Sequence, residues 1–100
     1  MKRKNNMSRI TESQLLSLVT RLNNITGNPV NAYTETETGF KASIGNFHIS
    51  HAYGGVALMQ MVNDGGGCSM PLMQGHTTKR DCYDQIYAFI KGIEYAKGQK

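Results

Sequence analysis

The residues of this chain able to do chemistry are few: three histidines (His48, His51, His76), two cysteines (Cys68, Cys82) and a Thr77-Thr78-Lys79-Arg80 run. A structural zinc centre needs nitrogen and sulfur ligands at spacings such as Cys-x-x-Cys or His-Glu-x-x-His, and neither spacing occurs. His48 and His51 stand three apart in a segment of strand character, which sends them to opposite faces, so they do not share an ion. No metal centre and no cofactor is expected. Cys82, at a helix start beside Lys79 and Arg80, has part of the setting that activates a thiolate. It also falls on an apolar stripe with Ile86 and Phe89, where it reads as a core thiol. Glu35 and Glu37 would lie about 7 Å apart on one face of a strand, a spacing that suits paired carboxylates. Their alternation with Thr34, Thr36 and Thr38 reads instead as a charged, solvated edge. Gly65-Gly66-Gly67 lacks the lysine and the following helix of a phosphate loop and reads as a turn. Because no base, nucleophile and oxyanion donor fall together, no catalytic residue is assigned and the chain is expected not to be an enzyme.

Binding is better served. Thr77 and Thr78 open a helix in which Thr78 and Asp81 match a capping box, so free amides, Lys79 and Arg80 converge where an anion would be stabilised. Tyr53-Gly54-Gly55 sets an aromatic ring beside bare backbone, which suits either a tight hairpin or a flat ligand lying against the chain. The candidate ligand-binding residues are His48, Ser50, Tyr53, Gly54, Gly55, His76, Thr78, Lys79 and Arg80.

The elements that must hold these residues are legible from period and punctuation. Thr11 and Gln14 form a capping box, Leu15, Leu18, Val19, Leu22 and Ile25 make one apolar stripe, and Gly27 with Pro29 ends the helix. From Val30 to Met73 the period is two. Phe40, Ala42 and Ile44 share a face, Gly45-Asn46 fits a hairpin turn, and Phe47, Ile49, His51 and Tyr53 continue on one side. Val56 to Val62 is apolar on both faces and belongs mid-sheet; Pro71 moves the Cys68–Met73 segment to an edge. Cys82, Ile86, Phe89, Ile90 and Ile93 stripe a closing helix, whose internal Gly92 implies close packing on the sheet. The expected class is α+β: helix, antiparallel β-meander of three to five strands, C-terminal helix, with both helices on one sheet face. The other face, with His48, Ser50, Met59 and Met61, would need water, a ligand or a second copy to cover it, so a homo-oligomer is among the expectations.

One hundred residues make one domain, placed at residues 8–98 behind a basic head at residues 1–7. Lys2, Arg3 and Lys4 supply three of the 11 basic residues, leaving eight against seven acidic ones, so the body is nearly neutral and lacks the clustered basic face of a duplex-DNA binder. No run approaches the roughly 18 consecutive apolar residues of a membrane span. No apolar stretch follows the basic head, so a cytoplasmic protein with reduced thiols is expected.

Phe47 to Leu58, followed by Val62-Asn63-Asp64-Gly65-Gly66, resembles a pattern of small bacteriophage accessory proteins: aliphatic-Ser-x-Ala-Tyr-Gly-Gly-x-x-Leu, then Asn-x-Gly-Gly. Leu22-Asn23 and Thr26-Gly27 in the first helix extend the likeness, while Val56 stands where the pattern has an aromatic residue. The resemblance implies no catalytic residues. It implies a host-takeover or anti-defence inhibitor, acting in the host cytoplasm by binding a host protein or an anionic ligand such as a signalling nucleotide or nucleic acid. The alternative is a nucleic-acid-binding module, since helix, three strands, helix is also the order of double-stranded RNA-binding domains.

Overall fold

Both helices begin where their capping residues put them. The structure, a computed structural model, describes residues 9–98; the basic head lies outside the described residues. Gln14 N–H donates to Thr11 Oγ1 at 3.1 Å and Thr11 N–H to Gln14 Oε1 at 2.8 Å, starting α1 (Glu12–Thr26), which Gly27 closes at a left-handed φ of 75°. Thr78 Oγ1 accepts from Asp81 N–H at 3.1 Å to start α2 (Lys79–Gly98), while the Asp81 carboxylate takes the Thr77 hydroxyl at 2.8 Å.

Between the helices the chain forms two antiparallel sheets. A ribbon of β1 (Tyr33–Thr36) and β2 (Gly39–Ala42) precedes a three-stranded sheet in which β4 (Gly55–Met61) runs between β3 (Phe47–Ala52) and the two-residue edge β5 (Cys68–Ser69). The α+β class and the central place of the Val56–Val62 run are as the pattern implies. The Gly45-Asn46 hairpin is not. β2 and β3 belong to different sheets, because Asn46 has non-local partners: its side chain is buried and its Nδ2 donates to Pro29 O at 2.9 Å and Val30 O at 3.1 Å. The expected apolar face of Phe40, Ala42 and Ile44 dissolves with it. Only Ala42, at the ribbon base, is buried; Phe40 beside the β1–β2 turn is 72% exposed, and Ile44 lies beyond β2. Glu37 sits in the turn rather than on β1, so no carboxylate pair faces one way.

Cross-strand pairing of Ile49 with Leu58 and His51 with Val56 defines the face that both helices cover. Leu15, Leu18, Val19 and Leu22 of α1 and Cys82, Ile86 and Ile90 of α2 close on Phe47, Val56 and Leu58, and the Phe47 and Phe89 rings meet edge to face at 6.2 Å. Gly92 serves no close approach: a Cβ there would meet nothing within 4 Å, so the glycine costs up to about 1 kcal/mol of helix stability without a packing return. No helix among the described residues is long and apolar enough to cross a membrane.

The helix pair is joined at its outer end by Arg21 and Glu94, 2.6 Å apart, and by Lys97, which donates to the Ile25 carbonyl at the end of α1. The Arg21 hydrogen bond holds the Glu94 carboxyl below the ordinary glutamate range. A stronger tie is buried. Asn23 Nδ2 donates to Phe47 O at 3.0 Å while Phe47 N–H donates to Asn23 Oδ1 at 2.8 Å, so one amide side chain replaces a missing strand neighbour.

Two measurements follow. Asn23→Ala strands both backbone groups of Phe47 and is expected to lower unfolding free energy by about 2–4 kcal/mol in urea titrations; a loss within error of zero contradicts this account of the joint. Glu94→Gln should cost stability at neutral pH. Because the folded pKa is depressed, the difference from the parent disappears as pH falls through that pKa, and a difference that persists in acid assigns the effect to packing.

Candidate functional site

The turn joining β3 to β4 has two residues, Tyr53 at φ 54° and Gly54 at φ 73°, both left-handed as a type I′ hairpin requires. Glycine takes this conformation freely; tyrosine takes it against its own Cβ. The Tyr53 ring gains little burial in return, being 96% exposed, with its centroid 5.8 Å from that of the His76 ring in a T-shaped contact. Gly55 has a different reason to be bare. A Cβ there would lie 2.7 Å from Thr77 O, because Val56 and Thr77 exchange both backbone hydrogen bonds at 2.8 Å. This single bridge sets the entry of α2 beside the hairpin turn.

Between them opens a cleft of about 810 Å³. Gly54, Gly55, His51 and Ala52 form one wall, Thr77, Thr78, Lys79 and Arg80 the second, and Arg9 and Ile10, preceding α1, the third. The first amides of α2 have no intrahelical acceptors, and three permanent cations, Arg9, Lys79 and Arg80, stand around them. Carboxylates temper the charge: Arg80 Nη1 lies 3.3 Å from Asp84 Oδ1, and His51 Nε2 lies 2.9 Å from Glu12 Oε2. The cleft is therefore suited to holding an anion.

Five of the nine sequence candidates line this cleft: Gly54, Gly55, Thr78, Lys79 and Arg80. The other four do not join them. His48, Ser50 and His76 belong to the opposite sheet face, where Ser50 Oγ and His76 Nε2 are 3.1 Å apart, and Tyr53 projects from the turn. The candidates thus fall on two surfaces separated by the sheet, since His48 and Ser50 alternate with Ile49 and His51 along β3. That same alternation was the available signal for His51, which faces the helices and reaches the cleft. Arg9 carried no local signal, as only the path of the chain into α1 brings it there.

Histidines 48 and 51 do lie on opposite faces, and no group of three His, Cys, Asp or Glu gathers among the described residues. Burial lowers the His48 pKa, opposed by a hydrogen bond to Asn46. Both cysteines are free thiols. Cys82 is fully buried, and burial first, then Asp81, pushes its thiol up to about 11, so it is a core residue without nucleophilic character at neutral pH. The triple-glycine run is organised from within, Asn63 Oδ1 accepting from Gly65 N–H at 3.0 Å and Gly67 N–H at 2.9 Å.

No family model matches the chain, and neither a curated protein nor a solved structure matches it.

Gly55→Ala tests the construction of the cleft. The added methyl must push Thr77 away, and a loss of about 1–3 kcal/mol with faster amide exchange at Val56 and Thr77 is expected; unchanged exchange at those amides contradicts the bridge as drawn.

Proposed function

We propose that this chain is a non-enzymatic binding protein whose cleft between the Tyr53-Gly54 turn and the start of α2 takes an anionic ligand, with a signalling nucleotide the best match. The observation that carries the reading is the coincidence of a cleft of about 810 Å³ with Arg9, Lys79 and Arg80 at a helix start. A nucleotide offers a phosphate for the start of α2 and the surrounding cations and a flat base for the glycine-walled side. Its role is that of the phage accessory proteins the sequence resembles: an inhibitor in the host cytoplasm that sequesters its target without turning it over.

The binding of double-stranded RNA is the second reading. A three-stranded antiparallel sheet with both helices on one face, and Lys79 and Arg80 beside the Tyr53-Gly54 turn between β3 and β4, gives it a specific footing. The near-neutral body weighs against it.

A thermal-shift series with cyclic mono- and dinucleotides and a gel shift with duplex RNA distinguish the two. The nucleotide reading expects a rise in Tm that grows with ligand concentration and is lost in the Lys79→Ala, Arg80→Ala double variant. An RNA shift that weakens steeply with salt, with no nucleotide effect, favours the second reading. Silence in both assays overturns the cleft as an anion site.

A further inference from the structure

We infer that the sheet face turned away from the helices carries a soft-metal site, built from His48, Met61 and Cys68, that takes monovalent copper. Each of the three adjacent strands contributes one side chain: His48 from β3, Met61 from the centre of the sheet, and Cys68 directly opposite Met61 on β5. Cys68 Sγ lies 3.8 Å from His48 Nε2 and 3.7 Å from Met61 Sδ. Ligands bound about 2.0 Å (nitrogen) and 2.3 Å (sulfur) from one ion, spread trigonally, are separated by about 3.7–4.0 Å. Both separations measured from Cys68 Sγ therefore already match those that a shared ion requires.

The nitrogen is also presented in the correct form. Asn46 Nδ2 donates to two carbonyls, Pro29 O and Val30 O, which settles the amide orientation and leaves Oδ1 as the atom 3.1 Å from His48 Nδ1. An amide oxygen only accepts, so Nδ1 carries the proton and the Nε2 lone pair is the one aimed at Cys68. A buried outer group that fixes the tautomer of a ligating histidine is a recurrent part of metal sites.

The donor set selects the metal. A thioether contributes little to zinc, whereas thiolate, thioether and imidazole together suit Cu(I). Met61 is buried and His48 partly so, while Cys68 is exposed and open to an incoming ion. Binding displaces the Cys68 thiol proton to solvent and changes no oxidation state, the copper being supplied already reduced.

The experiment titrates the full chain anaerobically with Cu(I) against a chromogenic chelator, and in parallel with Zn²⁺. One equivalent of Cu(I) is expected to be withheld from the chelator, with a sulfur-to-copper absorption in the near ultraviolet. Cys68→Ser should abolish both; His48→Gln and the volume-conserving Met61→Leu should each weaken affinity by about tenfold or more. Cys82→Ser should leave the stoichiometry unchanged, and circular dichroism checks that every variant is folded. Full affinity in Met61→Leu or His48→Gln reduces the site to a lone thiol and overturns the proposal, as does zinc bound as tightly as copper or no copper withheld. None of these outcomes depends on the anion cleft, which lies across the sheet.

Discussion

Two buried asparagine side chains decide where β3 enters the molecule, and almost everything else follows from that entry. At Phe47 a strand starts with no neighbour on one side, a position that ordinarily leaves an amide and a carbonyl without partners. Asn23 supplies both partners from α1. One residue earlier, Asn46 gathers the carbonyls of Pro29 and Val30 and accepts from His48. Together they lock helix, connecting loop and sheet at one point, with Phe47 delivered into the core between them. Buried amides that are fully satisfied specify a single arrangement, since any slip of β3 would leave several polar groups stranded.

The same pair explains what could be read in advance and what could not. Capping residues act within a turn of chain, so Thr11, Gly27 and Thr78 announced both helices, and the stripes of Leu15–Leu22 and Cys82–Ile90 announced the face they bury. Val56–Met61 was legible as a central strand because it is apolar on both sides. Gly45-Asn46 misled, because a local turn signal was overruled by hydrogen bonds to residues 16 and 17 positions away. The candidate site was half legible for a related reason: Thr78, Lys79 and Arg80 are neighbours in sequence, whereas His51 meets them through the bridge between Val56 and Thr77 and Arg9 through the path of the chain into α1. Asn23 itself was visible as a letter in a helix and not as a structural joint, since nothing local shows which backbone an amide will find.

The three-stranded sheet separates two kinds of chemistry by the simplest rule a strand offers. Successive residues of β3 alternate between the helix side, where His51 approaches Arg9 and the start of α2, and the far side, where His48 approaches Cys68 and Met61. Hard, charged groups collect at the first and soft, polarisable ones at the second. Neither arrangement draws on the residues of the other, so the fold can alter one surface without disturbing its counterpart.

The β1–β2 ribbon stands outside this economy. Its strands pair with each other but pack extensively on neither helix nor sheet, and it is tied at its base by Ala42 N–H to Asp64 O and by the Thr34 and Ser43 hydroxyls, 2.7 Å apart. A two-stranded hairpin has little stability of its own. Among the described residues the ribbon is therefore the segment that can open at least cost, peeling away and resealing while the helices and main sheet remain assembled.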